Sequence, residues 1–206
     1  MQSDKPFIIA LVGPTAVGKT ELSIELAKKF NGEIISGDSM QVYKYMDIGT
    51  AKIKQEEMAD IPHHMIDILE PDETFSAYDF KNRAQNLITE ITDRNHVPII
   101  VGGTGLYIQS LIYNYAFEDE TISESQQIKV DYKLNELDSF TNEALHNYLA
   151  SIDKVSADNI HPNNRKRVRR AIEYYLKTKK LLSSRKKNQQ YTENYDTLLI
   201  GIEMSR

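Results

Sequence analysis

Hydrophobic residues along the chain form short runs rich in β-branched side chains, separated by stretches with helical periodicity. The runs at residues 8–12, 33–36, 98–101 and 197–202 have the length and composition of buried strands. A further strand is expected within residues 61–68. Strands that alternate with helices in this way predict an α/β fold, with a parallel sheet flanked by helices.

Helical spacing follows three of those strands. The first helix carries Leu22, Leu26 and Phe30 on one stripe, and a second begins at Ser76 or Thr74. The expected inner positions of the second and third helices are Phe80, Ala84, Leu87, Ile88 and Ile91, and then Tyr107, Ile108, Leu111 and Ile112.

The middle of the chain changes character. Residues 116–160 are acidic and polar and give no strand signal, so we interpret them as a small all-helical insertion domain. The expected division is residues 1–115 for the first part of the core, 116–160 for the insertion, and 161–206 for a basic helix and the last core strand. Residues 183–194 have the composition of a polar linker. The expected inner positions are Ile128, Leu134 and Leu137, then Leu145, Tyr148, Leu149 and Ile152, and then Val168, Ala171, Ile172 and Tyr175.

Composition narrows the class of protein. A chain of 206 residues can bury a real core, and the absence of cysteine excludes disulfides and thiolate chemistry. No apolar run approaches the roughly 20 residues that span a bilayer, and residues 1–6 lack a signal-peptide pattern. We therefore expect a cytoplasmic protein with no membrane partner. We also expect it to act as a monomer, although composition does not determine the oligomeric state.

Charge is spread unevenly although the net charge is only −5. Residues 161–206 hold 12 Lys and Arg against 4 Asp and Glu, whereas residues 1–160 hold 13 against 26. Cations at the start of a helix oppose its dipole, so this run favours contact with the phosphates of a nucleic acid. A solvated helix face remains an equal alternative. The cations concerned are Arg165, Lys166, Arg167, Arg169 and Arg170.

The segment GPTAVGKT, residues 13–20, joins the first strand to the first helix and fits the phosphate-binding P-loop pattern without a mismatch. Its glycines permit backbone angles that free amide groups to cradle phosphate oxygens. Lys19 adds a positive charge, and Thr20 offers a hydroxyl to Mg²⁺. The expected diphosphate- or nucleotide-binding residues are Gly13, Pro14, Thr15, Ala16, Val17, Gly18, Lys19 and Thr20.

Asp38 ends the second predicted strand, close to the P-loop if the sheet is parallel. Its carboxylate suits a base or a water-mediated Mg²⁺ ligand, and it equally suits a turn cap. An ordinary P-loop ATPase has an acidic residue after a later strand. Here that strand runs into Gly102, Gly103 and Thr104, which weakens the case for ATP hydrolysis and favours close approach of a substrate to the backbone.

The adjacent pair His63 and His64 does not predict a zinc site. Neighbouring side chains on a strand point to opposite faces, and no third ligand follows at a suitable spacing.

The assembled motifs resemble the tRNA dimethylallyltransferase family, in that family's order and over residues 7 to about 175. They are GPTAVGKT at 13–20, IISGDSMQVY at 34–43, MDIGTAK at 46–52, PHH at 62–64, FSA at 75–77, GGTGLY at 102–107 and HPN at 161–163.

The resemblance implies transfer of a dimethylallyl group from its diphosphate to N6 of the adenosine just 3′ of the anticodon of tRNA, with release of pyrophosphate. Asp38 matches the family's base, and Lys19 and Thr20 match groups that assist catalysis, Thr20 through Mg²⁺. The helical insertion would clamp the anticodon stem-loop. The implied tRNA-binding positions are Asp38, Ser39, Met40, Gln41, Thr104, Lys166, Arg167, Val168, Arg169 and Arg170.

Family members also continue well beyond the last strand, by resemblance, into a helix with an arginine that helps to bind the diphosphate. We therefore expect a truncated chain that is weakly active or inactive, with a poorly covered final strand. Arg206 lies before the position of that helix and does not correspond to its diphosphate-binding arginine.

Three other functions share part of the pattern. A P-loop kinase for a small molecule has the same loop and Asp38 but gives no reason for a basic helix. An adenylate isopentenyltransferase uses a free nucleotide as the acceptor. A non-catalytic RNA-binding module would leave the intact P-loop without a role.

Overall fold

One parallel sheet of five strands, four from the first half of the chain and one from its end, forms the first core. The structure is a computed structural model that describes residues 5–113, 115, 122–187 and 193–203. In chain order the elements are β1 (Phe7–Val12), α1 (Lys19–Phe30), β2 (Gly32–Ser36), a 3₁₀ turn (Gln55–Glu57), β3 (His63–His64), α2 (Ala77–Asp93), β4 (Val97–Gly102), α3 (Gly105–Ile112), α4 (Glu124–Asp138), α5 (Asn142–Ile152), α6 (Lys154–Asn159), α7 (Arg165–Thr178), α8 (Leu182–Lys187) and β5 (Asp196–Gly201).

The strand order is β3-β2-β4-β1-β5, and every pairing is parallel. Ile99 of β4 pairs with Ile9 of β1 on one side and with Ile34 of β2 on the other. Because all strands run the same way, the turns that follow β1, β2 and β4 lie at one edge of the sheet. The α/β class predicted from the alternating pattern is confirmed.

The central strands of the sheet are buried on both faces. Ile8, Ile9, Ala10 and Leu11 are completely inaccessible to solvent, which explains why β1 reads as a continuous apolar run rather than an alternating one. One face packs on α1 in a cluster that joins Ile9, Ala27, Ile34 and Ile99.

Helix α1 packs through smaller residues than the sequence predicts. Ser23 and Ala27 are its buried positions, whereas Phe30 is 43% exposed. The expected stripe of Leu22, Leu26 and Phe30 is therefore wrong at its end. Small side chains let the helix lie close to the strands.

Helices α2 and α3 follow the predicted stripes. Ser76 is the N-cap of α2, and its hydroxyl accepts a hydrogen bond from the amide of Asp79 over 3.2 Å. Among the expected inner positions only Leu87 is not fully buried. The others are Phe80, Ala84, Ile88 and Ile91 in α2, and Tyr107, Ile108, Leu111 and Ile112 in α3.

The two edge strands differ from the central ones, because β3 is short and β5 is exposed to solvent. The strand expected within residues 61–68 contains only His63–His64. At the other edge β5 pairs with β1, and its Leu198 and Leu199 are 46% and 55% exposed. This poor cover was expected for the final strand.

The second compact unit comprises residues 116–190, and the first comprises residues 1–115 and 191–206. The helical unit thus extends past residue 160, because α7 contributes to its core. Residues 116–121 and 188–192 lie outside the described residues, and so does Arg206. The core of the unit contains Leu137, Leu145, Leu149, Ala157, Val168, Ala171 and Ile172.

Three local predictions for this unit are wrong. Ile128 is 64% exposed, and Val130 takes the buried position in α4. In α7 the fully buried tyrosine is Tyr174 rather than Tyr175. The supposed linker at residues 183–194 begins within α8. None of the helices in the described ranges has both the length and the apolar character needed to cross a membrane.

Candidate active site

The P-loop forms the tight turn between β1 and α1. Gly18 is the N-cap of α1 and has a φ of 86°, a left-handed conformation that glycine adopts without strain. A Cβ atom at Gly13 would come 2.7 Å from the carbonyl oxygen of Ile202, so the turn also packs closely against the chain after β5. The amides at the start of α1 follow directly on this turn, and their binding of phosphate oxygens stays a prediction.

Lys19 lies across this turn. Its Nζ atom donates to the carbonyl oxygen of Gly13 over 2.9 Å and also to that of Pro14. Burial lowers the pKa of Lys19 below its ordinary value, and the negative charge of Asp38 partly opposes the shift. Lys19 thus stays close to the loop, where an anion would meet it, and Asp38 is near enough to influence it.

Asp38 has a structural role in addition to any chemical one. Its Oδ1 atom accepts a hydrogen bond from the amide of Met40 over 2.8 Å. The turn cap and the base, weighed as alternatives from the sequence, are therefore compatible, because Oδ2 is not used in that bond.

A cavity of about 120 Å³ brings the P-loop and Asp38 together. The polar groups that line it include Lys19, Thr20, Ser36 and Asp38. Apolar side chains line it too, among them Ile34, Ile53, Ile66 and Val101. A site with oxygen and nitrogen donors beside hydrocarbon suits a ligand that has a charged end and an apolar end.

A glycine at the end of β4 allows two turns of the backbone to pack closely together. A Cβ atom at Gly102 would come 2.8 Å from the Cα atom of Gly37 and nearer still to its carbonyl oxygen. At Gly102 it is the turn that follows β2 that makes this close approach, and Gly102 also lines the cavity, so approach of a substrate stays a prediction. This contact brings Thr104 next to Ser39, and the amide of Ser39 donates to Thr104 Oγ1 over 3.2 Å.

Gln41 points inward. Its Oε1 atom accepts from Ser36 Oγ over 3.0 Å, and its Nε2 atom donates to the carbonyl oxygen of Thr50 over 3.0 Å. Its amide therefore holds a wall of the cavity in place. Met40, by contrast, is 44% exposed.

Several cavity residues were not predicted from the sequence to belong to the site. Thr50, Ala51 and Ile53 line the cavity from the segment after Gln41, and His63 lines it from β3. The MDIGTAK motif at residues 46–52 was the available signal, but its individual residues carry no distinctive chemistry.

The side chains of His63 and His64 have different partners, as expected for neighbours on a strand, which point to opposite faces. Nδ1 of His63 lies 2.8 Å from the carbonyl oxygen of Ile61, and burial lowers the pKa of His63. Nε2 of His64 lies 2.7 Å from the carboxylate of Glu33. In the part of the chain that the structure describes, no three His, Cys, Asp or Glu side chains gather as a metal site.

The cations of α7 lie in the helical unit and differ in their surroundings. Arg165 donates to the carbonyl oxygens of Phe140 and Asp138, each over 2.8 Å. Arg169 pairs with the carboxylate of Asp138 at 3.1 Å. These two arginines hold the end of α4.

The three remaining cations of the basic run fall into two groups, and an apolar residue lies among them. Within the described ranges the side chains of Lys166 and Arg167 make no hydrogen bond or ion pair. Arg170 pairs with Glu173 at 3.4 Å. Val168 is completely buried, so its side chain is a core residue and is not exposed for contact with tRNA.

Comparisons with known proteins agree with the motifs. A family model described as IPP transferase matches residues 41–206. The chain is 78% identical over its whole length to a tRNA dimethylallyltransferase of Staphylococcus saprophyticus, and 71% identical to one of Staphylococcus aureus. It spans 65% and 66% of the lengths of these relatives.

Solved structures give the same picture. A tRNA delta(2)-isopentenylpyrophosphate transferase from Staphylococcus epidermidis is 74% identical, with a TM-score of 0.61 over 98% of this chain and 64% of the other. A eukaryotic dimethylallyltransferase acting on tRNA is 36% identical, with a TM-score of 0.79 over 95% of this chain and 48% of the other. The chain therefore belongs to the IPP transferase family.

Proposed function

We propose that the protein transfers a dimethylallyl group from dimethylallyl diphosphate to N6 of the adenosine immediately 3′ of the anticodon in tRNA. One observation carries the proposal: the P-loop and Asp38 line a single cavity in a chain that belongs to the IPP transferase family. A phosphate cradle beside a carboxylate provides for a departing diphosphate and for a proton that must leave a nucleophile.

The first task is to stabilise the leaving group. The bond between the allylic carbon and the diphosphate oxygen breaks, and its electron pair leaves with the oxygen. The amides at the start of α1 and the ammonium group of Lys19 would face the charge that develops there. Lys19 would exchange its bonds with the carbonyl oxygens of Gly13 and Pro14 for bonds with phosphate.

Mg²⁺ fits the donor set of this site. Thr20, Ser36 and Asp38 offer oxygen atoms at the cavity, and oxygen is the ligand atom that Mg²⁺ prefers. Since the described residues contain no acidic cluster that could hold a metal alone, Thr20 would share the ion with the diphosphate. When bound, Mg²⁺ would neutralise charge on the departing diphosphate.

The second task is to remove a proton from the acceptor. N6 of adenine bonds to the allylic carbon, and the proton it sheds passes to the carboxylate of Asp38. Oδ1 of Asp38 remains bonded to the amide of Met40, which orients the carboxyl group and leaves Oδ2 to accept that proton.

The acceptor base must leave its stack in the RNA before it reaches a cavity of this kind. Ser39 and Met40 would lie beside the extruded base, while Thr104 and Gln41 hold the surrounding segment. In the helical unit, Lys166, Arg167 and Arg170 would contact RNA phosphates. Clamping of the anticodon stem-loop by this unit is part of the proposal, as is action in the cytoplasm, where tRNA is used. That the protein acts as a monomer stays a prediction.

The test is to incubate the whole protein with radiolabelled dimethylallyl diphosphate, Mg²⁺ and tRNA, and to digest the RNA to nucleosides. We expect the label in N6-isopentenyladenosine. Labelled phosphate transferred from ATP to a small molecule would instead identify a kinase, and transfer to free adenylate without RNA would identify an adenylate isopentenyltransferase. RNA binding without any transfer would identify the protein as a non-catalytic RNA-binding module.

A further inference from the structure

A loop at residues 43–52 presents two large side chains to solvent, and we call it the rim loop. Ile48 is 101% exposed and Tyr45 is 79% exposed. Isolated apolar side chains on a surface need no explanation. Two of them three residues apart, on one loop that continues into a cavity wall, are better explained by contact with a ligand.

The backbone conformation of Tyr45 is also unfavourable. Its φ of 63° lies in the left-handed region, where a residue without glycine's freedom is strained. A tyrosine that is both strained and exposed contributes little to the stability of the fold. Such residues cluster at binding sites, where the surrounding structure holds the strained conformation.

The rim loop is held firmly at its base. Nζ of Lys52 donates to Asp47 over 2.7 Å, to Asp67 over 2.6 Å and to the carbonyl oxygen of Tyr43 over 2.8 Å. Its side chain is only 4% exposed. Thr50 Oγ1 donates to the carbonyl oxygen of Met46 over 2.6 Å. A preordered loop loses little conformational entropy when a ligand binds.

Charge argues against phosphate as the ligand of the rim loop. Its cations are Lys44 and Lys52, and each is paired with a carboxylate, Lys44 with Glu70 at 2.6 Å. What the loop offers to solvent is an aromatic ring and a branched aliphatic side chain. Unpaired nucleobases stack on aromatic side chains regardless of sequence.

The loop also continues directly into the candidate active site. Thr50 and Ala51, at its carboxyl end, line the cavity that contains Asp38 and the P-loop. Ile48 is only two residues before Thr50. A loop of RNA that delivers one base to the cavity would therefore bring its neighbouring bases to the rim.

We propose that Tyr45 and Ile48 form a stacking surface for unpaired nucleobases next to the base that is modified. The inference rests on the proposed function and deepens it: phosphate contacts come from the helical unit, and base contacts without sequence preference come from the rim loop.

The test measures the affinity of the whole protein for unfractionated tRNA at a series of salt concentrations. Tyr45→Ala should weaken binding about tenfold, as expected for the loss of one stacked base, and Tyr45→Phe should stay within about twofold because the ring remains. The slope of log affinity against log salt should not change, because no phosphate contact is lost. Equal affinity of Tyr45→Ala and the unmodified protein would overturn the inference, and so would a reduced slope.

Tyr45→Gly separates binding from folding. Glycine tolerates the positive φ, and this relief of strain offsets the extra backbone entropy that glycine loses on folding, so the variant should melt close to the temperature of the unmodified protein while it binds tRNA about as weakly as Tyr45→Ala. A markedly lower melting temperature would mean that the ring supports the fold, and the inference would then be wrong. Phe30→Ala is the matched control, since Phe30 is exposed at the far end of α1 and should not affect RNA binding.

A crosslink would locate the contact directly. tRNA anticodon stem-loops with 5-iodouridine at each loop position should give a photo-crosslink to Tyr45, identified by mass spectrometry. If the unmodified protein neither binds tRNA nor modifies it, the proposed function fails. If it does both but Tyr45 and Ile48 variants bind equally well, only the rim-loop inference fails, and a protein partner becomes the better occupant.

Discussion

The backbone amide of Ser39 donates a hydrogen bond to Thr104 Oγ1 over 3.2 Å, which ties the turn after β2 to the turn after β4. Thr104 Oγ1 in turn lies 3.5 Å from Ser39 Oγ. Since Ser39 follows Asp38 directly, the hydroxyl of Thr104 helps to fix the segment that carries the proposed base. Thr104 is thus a positioning residue, besides the substrate contact expected from the resemblance.

Replacement of Thr104 by valine keeps the shape of the side chain but removes this hydrogen bond. We expect Thr104→Val to lower kcat about fivefold to tenfold, which matches the loss of one hydrogen bond. Thr104→Ser retains the hydroxyl and should restore most of the rate. Transfer assays under saturating substrates check both variants, and an equally slow Thr104→Ser would show that the methyl group matters instead.

The variant Asp38→Asn tests the role of Asp38 as a base independently of its role as a turn cap. The amide oxygen of asparagine can still accept the hydrogen bond from the amide of Met40, but it cannot take a proton from an amine. We expect transfer to be abolished while tRNA affinity stays within about threefold. Single-turnover assays and filter binding measure the two quantities, and substantial transfer by Asp38→Asn would refute the base role.

Variants of the basic run of α7 should fall into two classes, those that weaken RNA binding and those that destabilise the helical unit. Arg167→Ala removes a cation without an intramolecular partner in the described chain, so it should reduce the slope of log affinity against log salt by about one unit and leave the melting temperature unchanged.

Arg165→Ala is the matched comparison, because Arg165 binds the carbonyl oxygens at the end of α4. It should destabilise the helical unit by about 1–3 kcal/mol, as measured by urea unfolding. If the salt slope were the same in Arg167→Ala as in the unmodified protein, Arg167 would belong to a solvated face.

Glu33 is a buried carboxylate outside the candidate site. It accepts hydrogen bonds from Arg94 at 3.1 and 2.8 Å, and nitrogens of His64 and His96 lie 2.7 and 2.8 Å from its oxygens. Burial by itself would raise the pKa of Glu33, but the bonds from Arg94, His64 and His96 outweigh it and lower the pKa to about 2.

This cluster predicts acid sensitivity with a definite sign. The folded pKa lies below the ordinary value of 4.5, so the ionised Glu33 stabilises the fold fully above that pH and loses this effect as pH falls toward 2. The contribution is on the order of 3 kcal/mol. Urea unfolding at several pH values should show it, and Glu33→Gln should flatten the acid limb. Glu25→Gln, at an exposed position of α1, is the control and should not.

The central strands and the phosphate-binding turn could be predicted because their signals are local. The P-loop motif lies within eight consecutive residues, and its glycine at position 18 indicates the left-handed backbone conformation that the structure shows there. The inner stripes of α2 and α3 were predictable since long apolar side chains mark them. The stripe of α1 was not, because Ser23 and Ala27 are too small to give a strong periodic signal.

By itself, then, the sequence determined the alternation of strands and helices, the glycine-rich turn between β1 and α1, and the position of Asp38 just after β2. Only the tertiary structure decided which cations hold α4 and which remain available, that Gln41 points inward, and that Thr50, Ile53 and His63 share a cavity with the P-loop. Backbone conformation depends on near neighbours in the chain, whereas these contacts depend on which distant segments the sheet and the helical core bring together.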